Sequence, residues 1–272
     1  MINFLSTLFT YDFFINALII GVLVSVCAAL LGVSLVLKRF SMIGDGLSHV
    51  SFGASAVALS LGLAPLYVAI PVVILAAFLL LKIDKNSKIK GDAATALISS
   101  SALAIGYTAV KLSGGGNIDI SSYMFGSIYT VSNQDMIITV TVAIVVLFLY
   151  AVFYNKLFSV TFDEDFAKAT GIKTGFYTTL LACLTAATVV IGMRMMGALL
   201  ISSLIIFPVL SASRVSKCYK TVIITSAAIA LVGFLGGMVL SLILGTSPGS
   251  SIVLINLLIF AVCFVLEKFL KK

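Results

Sequence analysis

Nine stretches of this chain are apolar over about the 20 residues that a helix needs to cross a lipid core. They cover residues 13–37, 41–62, 65–82, 92–112, 136–155, 176–193, 197–213, 220–244 and 250–267. No other feature limits the fold as much, because inside lipid the backbone has to satisfy its own polar groups. The fold class expected is all-α, a polytopic membrane helical bundle of about nine transmembrane helices. Composition agrees: of 272 residues 61% are hydrophobic and only 10% charged, with mean hydropathy +1.23, whereas soluble domains are roughly a quarter charged. The breaks fall at Leu63-Ala64-Pro65, at the charged loop Lys82–Asp92, at Gly114–Asn117, at Asp163–Asp165 and at Ser247–Ser251, where turn-forming or charged residues collect. Residues 1–272 read as a single transmembrane domain, multi-pass in the cell membrane with the lipid bilayer around it, and the N-terminal MINFLSTLFTYDFF lacks the basic region and cleavage site of a signal peptide.

Basic residues set the sidedness of such a bundle. With nine spans, only Lys111 and Arg194 of the 17 Lys and Arg fall on one side, and the other 15 on the opposite side. The basic side is cytoplasmic, which puts the N-terminus outside and the C-terminus inside. The net charge of +7 is spread over short loops, so it is no footprint for nucleic acid. Four scattered cysteines, Cys27, Cys183, Cys218 and Cys263, form no CxxC pair and indicate neither disulfides nor a structural zinc.

Against this background the run FSMIGDGLSHVSFGASAVA, Phe40–Ala58, stands out. It holds the only histidine, His49, four residues after Asp45, so both side chains lie on one face of a helix. An ionisable pair within an apolar chain marks a functional site by default, and an imidazole and a carboxylate are both metal ligands. Ten residues of helical rise from Arg39 would carry His49 about 15 Å, near the bilayer midplane. One Asp and one His make half of a coordination shell, and a symmetric dimer would supply two of each. The plainer reading has His49 bonded to a carbonyl and Asp45 capping the helix start.

Two further stretches carry signals. TFDEDFAKATGIKTG, Thr161–Gly175, reads as a short amphipathic helix with acidic residues leading and Gly171 as its C-cap. It exposes Phe162, Phe166 and Ile172 either to a groove on a cytoplasmic partner or simply to water. In GALLISSLIIFPVLSASR, Gly197–Arg214, Pro208 predicts a kinked or broken span; with Ser202 and Ser203 it lines a path or forms a structural kink. The outside segment Ser113–Asp135 holds either a short interfacial helix at Ser122–Tyr129 or a connector anchored by Tyr123 and Tyr129. The methionines of GMRMMG, Met193, Met195 and Met196, offer soft ligands or packing. There is no GxxxxGK[ST] or HExxH motif, so the chain reads as one that moves something, with no catalytic residues and no permanently bound cofactor. A proton-coupled secondary transporter using Asp45 and His49 as a relay is the alternative, and a membrane scaffold a third reading.

The sequence resembles the membrane subunits of zinc/manganese/iron-uptake ABC transporters. KRFSMIGDGLSHVSFGASA resembles their second-span signature, SSYMFGSIYTVSNQD their outer segment, FDEDFAKATGIK their coupling loop, MGALLISSLIIFPVLSASR their glycine-to-proline span and TSPGSSIVLINLLIF their last turn and helix. The resemblance covers nearly the whole chain. It implies a type II ABC importer-like homodimeric permease, powered by separate cytoplasmic ATP-binding subunits and fed by an extracellular metal-binding solute-binding protein. Asp45 and His49 would line the metal path as a transient site completed by a second copy. Asp163, Glu164, Phe166, Ala167 and Gly171 would belong to the helix that docks on the ATPase. VSFGASA stands where many manganese-type members carry a Leu-Pro-Gly run, so the resemblance favours zinc as the transported ion, with manganese and iron as the other candidates.

Overall fold

Each of the nine apolar stretches forms a helix of 18 residues or more in the computed structural model, which describes residues 12–86, 91–113, 126 and 133–270. In chain order the helices are α1 (Asp12–Leu37), α2 (Ile43–Ser60), α3 (Pro65–Asn86), α4 (Gly91–Leu112), α5 (Asn133–Val152), α6 (Tyr154–Phe162), α7 (Glu164–Ala169), α8 (Thr174–Met196), α9 (Ala198–Val215), α10 (Tyr219–Leu244) and α11 (Pro248–Leu270). Among the described residues, seven of the long helices are long and apolar enough to cross a membrane: α1, α4, α5, α8, α9, α10 and α11. The apolar part of α3 is shorter, Pro65–Leu81, and α2 is diluted by Asp45, His49, serines and glycines. The interfacial helix predicted at Ser122–Tyr129 lies outside the described residues apart from Gly126. That glycine has φ +75° and its backbone lies against the Met196–Gly197 peptide, where a Cβ would not fit.

Three local departures from the sequence expectation have physical causes. First, α2 starts at Ile43, because residues 38–42 form a turn: the Arg39 amide donates to the Val36 carbonyl and the Phe40 amide to Leu35. His49 therefore stands six residues into its helix, about 9 Å of rise, against the 15 Å expected. Second, α9 runs through Pro208 without the break that was one of the two readings of this span. The chain instead parts at Gly197, whose φ of +88° and ψ of 158° end α8 and begin α9, a conformation open to glycine. Third, the stretch after α5 does not simply continue the span; it forms the separate α6, with Leu157, Val160 and Thr161 buried.

Helices α1 and α8 form the centre, with 67% of each apolar window buried, whereas α4 and α5 bury only 22%. The core is built from large side chains such as Leu31, Leu47, Met193, Ile201, Leu204 and Phe234. Lipid tails are as apolar as leucine, so helices in a bilayer associate through close packing, and small residues make that possible. The α2–α4 contact is of this kind: a Cβ on Gly53 would run into the Ala102 carbonyl, and one on Gly106 would meet the Gly53 backbone.

Gly53→Val is expected to cost about 2 kcal/mol through overpacking, which for a chain of this size lowers Tm by roughly 5 °C in detergent. Gly175→Ala, where nothing lies within 4 Å of the added methyl group, leaves the melting point unchanged and serves as the control.

Candidate functional site

Helix α2 begins two residues before Asp45 and has no side-chain cap at Met42. Asp45 consequently sits in the first turn, where the helix dipole favours a negative charge, and does not cap the helix itself. Its backbone carbonyl accepts the Ser48 hydroxyl at 2.7 Å. One turn on, His49 Nε2 lies 3.6 Å from Asp45 Oδ2, too far for a good hydrogen bond. Two ligand atoms about 2.1 Å from an ion stand about 3.4 Å apart if it is tetrahedral and about 3.0 Å apart if it is octahedral, so a small rotation of either side chain closes this gap onto one ion. The other carboxylate oxygen, Oδ1, accepts the Ser202 hydroxyl of α9 at 3.1 Å. Ser202 is also 3.0 Å from the Ala198 carbonyl, so its proton is shared between two acceptors.

The side chains of Asp45 and His49 are 39% and 22% exposed, whereas Ser48 and Ser202 are buried. The pair thus opens on the side of α2 that the bundle leaves uncovered, with a hydroxyl from α9 fixing one carboxylate oxygen from behind. Among the described residues no group of three or more His, Cys, Asp or Glu comes together. Ser203 is buried and donates to the Leu200 carbonyl, and Ser211 and Ser213 donate to Phe207 and Val209. These serines satisfy their own turns, so of the predicted path residues on α9 it is Ser202 that meets Asp45. Pro208 is buried inside the continuous helix. Met193, Met195 and Met196 are buried in the core, the packing role.

The second predicted site is also a formed element. Asp163 caps α7, its Oδ1 accepting the amides of Asp165 at 3.0 Å and Phe166 at 2.9 Å. At the other end Gly171 has φ +80°, its amide donating to Lys168 and that of Ile172 to Ala167, the paired bonds of a glycine-terminated helix. Ala167 is buried beneath the helix, while Phe166 and Phe162 are 64% and 76% exposed. Ile172 is half-buried, in a groove of about 430 Å³ that it lines with Lys156, Thr170, Gly171, Lys173, Phe176 and Tyr177. Hydrogen bonding to Asp165 and the charge of Glu164 hold the Lys168 ammonium above its usual range. At the opposite end of the bundle Arg194 pairs with Asp135 at 2.9 Å, on the wall of another cavity of about 430 Å³.

Two contacts at these sites were not among the expectations from sequence: Ser202 on Asp45, and an ion pair of 3.6 Å between Lys38 and Glu164. No periodicity joins positions 157 residues apart. Charge was the available signal for the second, since Lys38 and Glu164 are opposite in sign and fall on the same predicted side.

The profile of the ABC 3 transport family matches residues 10–267. The manganese import system permease protein ScaB of Streptococcus gordonii is 34% identical over 99% of this chain and 98% of its own length. The high-affinity zinc uptake system membrane protein ZnuB of Haemophilus influenzae is 27% identical, over 92% of this chain and 96% of its own. Among solved structures, PsaBC from Streptococcus pneumoniae in complex with Fab superposes with a TM-score of 0.86 at 32% identity, covering 97% of this chain and 95% of that one.

Asp163→Ala removes the cap of α7, a loss of about 1 kcal/mol. Hydrogen exchange at the amides of Asp165 and Phe166 is expected to speed up about fivefold, with α8 unaffected; unchanged exchange at those amides would show that the cap does not hold the helix.

Proposed function

We propose, from the premise that the chain belongs to the ABC 3 transport family, that it is the membrane-spanning permease of an importer that carries a divalent transition-metal ion into the cytoplasm. The protein is a multi-pass protein of the cell membrane. The observation that carries the reading is the Asp45–His49 pair, spaced for one ion and facing out of the bundle. Each chain offers two ligands there, and a second copy placed across this face supplies two more. Four ligands without a thiolate hold an ion firmly enough to accept it and weakly enough to release it. Ser202 orients the carboxylate as the outer partners of metal ligands do.

The remaining assignments follow from that site. The whole chain acts as one permease domain with nine crossings, N-terminus outside and C-terminus inside. Three ion pairs support this sidedness, since each joins groups that the basic-residue count puts on one side: Lys38 with Glu164, Arg214 with Glu267, and Arg194 with Asp135. Separate ATP-binding subunits hold the face bearing Asp163, Glu164, Phe166, Ala167 and Gly171, and a metal-delivering binding protein meets the opposite end. The ion is substrate, and ATP is hydrolysed by the partner. For the metal, VSFGASA favours zinc, whereas the more similar of the two relatives named above is a manganese permease. We assign manganese, with zinc and iron as competitors to be ranked.

Uptake into proteoliposomes holding the permease and its ATPase tests this. Manganese uptake is expected to need ATP, and Ser202→Ala to lower it about tenfold, the lower end of what an outer partner of a metal ligand costs. Asp45→Ala and His49→Ala are expected to lower it further with assembly intact. Uptake driven by a proton gradient without ATP, or unchanged in His49→Ala, overturns the reading. Zinc displacing manganese at equal concentration would return the assignment to zinc.

A further inference from the structure

Lys38 closes α1 and its ammonium is nearly covered, the side chain being 7% exposed. A charge so enclosed needs opposite charge and hydrogen bonds around it. Lys38 Nζ donates to Thr178 Oγ1 of α8 at 3.1 Å and lies 3.6 Å from the Glu164 carboxylate. Glu164 is the first residue of α7, the short helix whose exposed Phe166 offers itself to a partner. One ammonium therefore joins three elements: the end of α1, the partner-facing α7 and the base of α8.

The turn after Lys38 is stiff. Arg39 holds φ +62°, the one non-glycine residue with positive φ among those described, a conformation that residues other than glycine rarely adopt. Amide bonds from Arg39 to Val36, Phe40 to Leu35 and Ile43 to Phe40 lace the turn to both helices. Asp45 follows seven residues after Lys38. A short turn bonded to both helices thus joins Lys38 to the first turn of α2, where the carboxylate sits.

Building on the permease reading above, we propose that the Lys38–Glu164 pair is the transmission contact between α7 and α2. Movement imposed on α7 by the ATPase shifts Glu164, the paired Lys38 follows, and α2 carries Asp45 and His49 with it. Lys38 and Glu164 are positioning residues, touching neither the ion nor ATP.

The test is a double-mutant cycle on the permease–ATPase complex in proteoliposomes, reading manganese ions moved per ATP hydrolysed. Lys38→Met is expected to lower that ratio about fivefold, within the range by which coupling residues act, while the ATPase remains bound and hydrolyses ATP; Glu164→Gln, on the docking helix itself, is expected to lower the ratio equally, read per ATP hydrolysed by the complexes that form. Glu164 also pairs with Lys168 at 3.5 Å, so the double variant is expected to be no worse than Glu164→Gln alone, in which the Lys38 contact is already gone, and Lys38→Arg to keep the wild-type ratio. Single variants with a wild-type ratio, or losses that multiply in the double variant, overturn the inference. A wild-type complex with no ATP-dependent uptake overturns the permease reading and this contact together.

Discussion

The approach of α2 to α9 is the contact on which the rest depends. At Gly44 there is no side chain, and a Cβ there would come within 2.7 Å of Ile205 Cδ1, so the two helices close on each other around that point. In lipid such closeness is the main source of helix association. Its chemical consequence lies alongside, where the Ser202 hydroxyl reaches Asp45 Oδ1. An apolar bundle with helices held further apart would leave that carboxylate without its partner from α9, and an unsupported charge in a membrane is costly. Packing by small residues and placement of the ionisable pair are one fact seen at two scales.

The same logic extends to the charged ends. Arg214 pairs with Glu267 at 2.6 Å and lies over the rings of Phe260 and Phe264, tying α9 to α11. Arg194 ties α8 to the start of α5 through Asp135. Lys38 ties the α1–α2 turn to α7. Each pair joins residues far apart in sequence at one end of the bundle, so charge locks the ends while close packing sets the middle. Such pairs contribute little to stability where water reaches them.

Much of this was legible in the sequence because lipid makes the pattern simple. The long helices follow from unbroken apolar runs, and Gly171 reads as a C-cap since it follows FAKAT and precedes the next span. Asp45 and His49 were legible because four residues apart means one face. What was hidden has equally definite causes. The turn at Lys38–Met42 carries no glycine or proline, and Arg39 takes the left-handed conformation against its own preference. Helix α6 is amphipathic and abuts an apolar span, so its start does not show. Pro208 looks like a break, yet the helix runs on and the chain parts at Gly197, whose positive φ no local pattern records. Ser202 could be placed on the right helix but not on its partner, because contacts between distant segments leave no trace in spacing.

If each chain supplies half of the coordination shell through Asp45 and His49, the assembled transporter binds its cargo between two copies. The direct measurement is the count of manganese ions bound per permease chain in the purified complex, held in its ion-accepting state with a non-hydrolysable ATP analogue. One ion for every two chains, lost in His49→Ala, is the result expected. One ion per chain, or binding that survives the loss of His49, would contradict a site shared across the dimer.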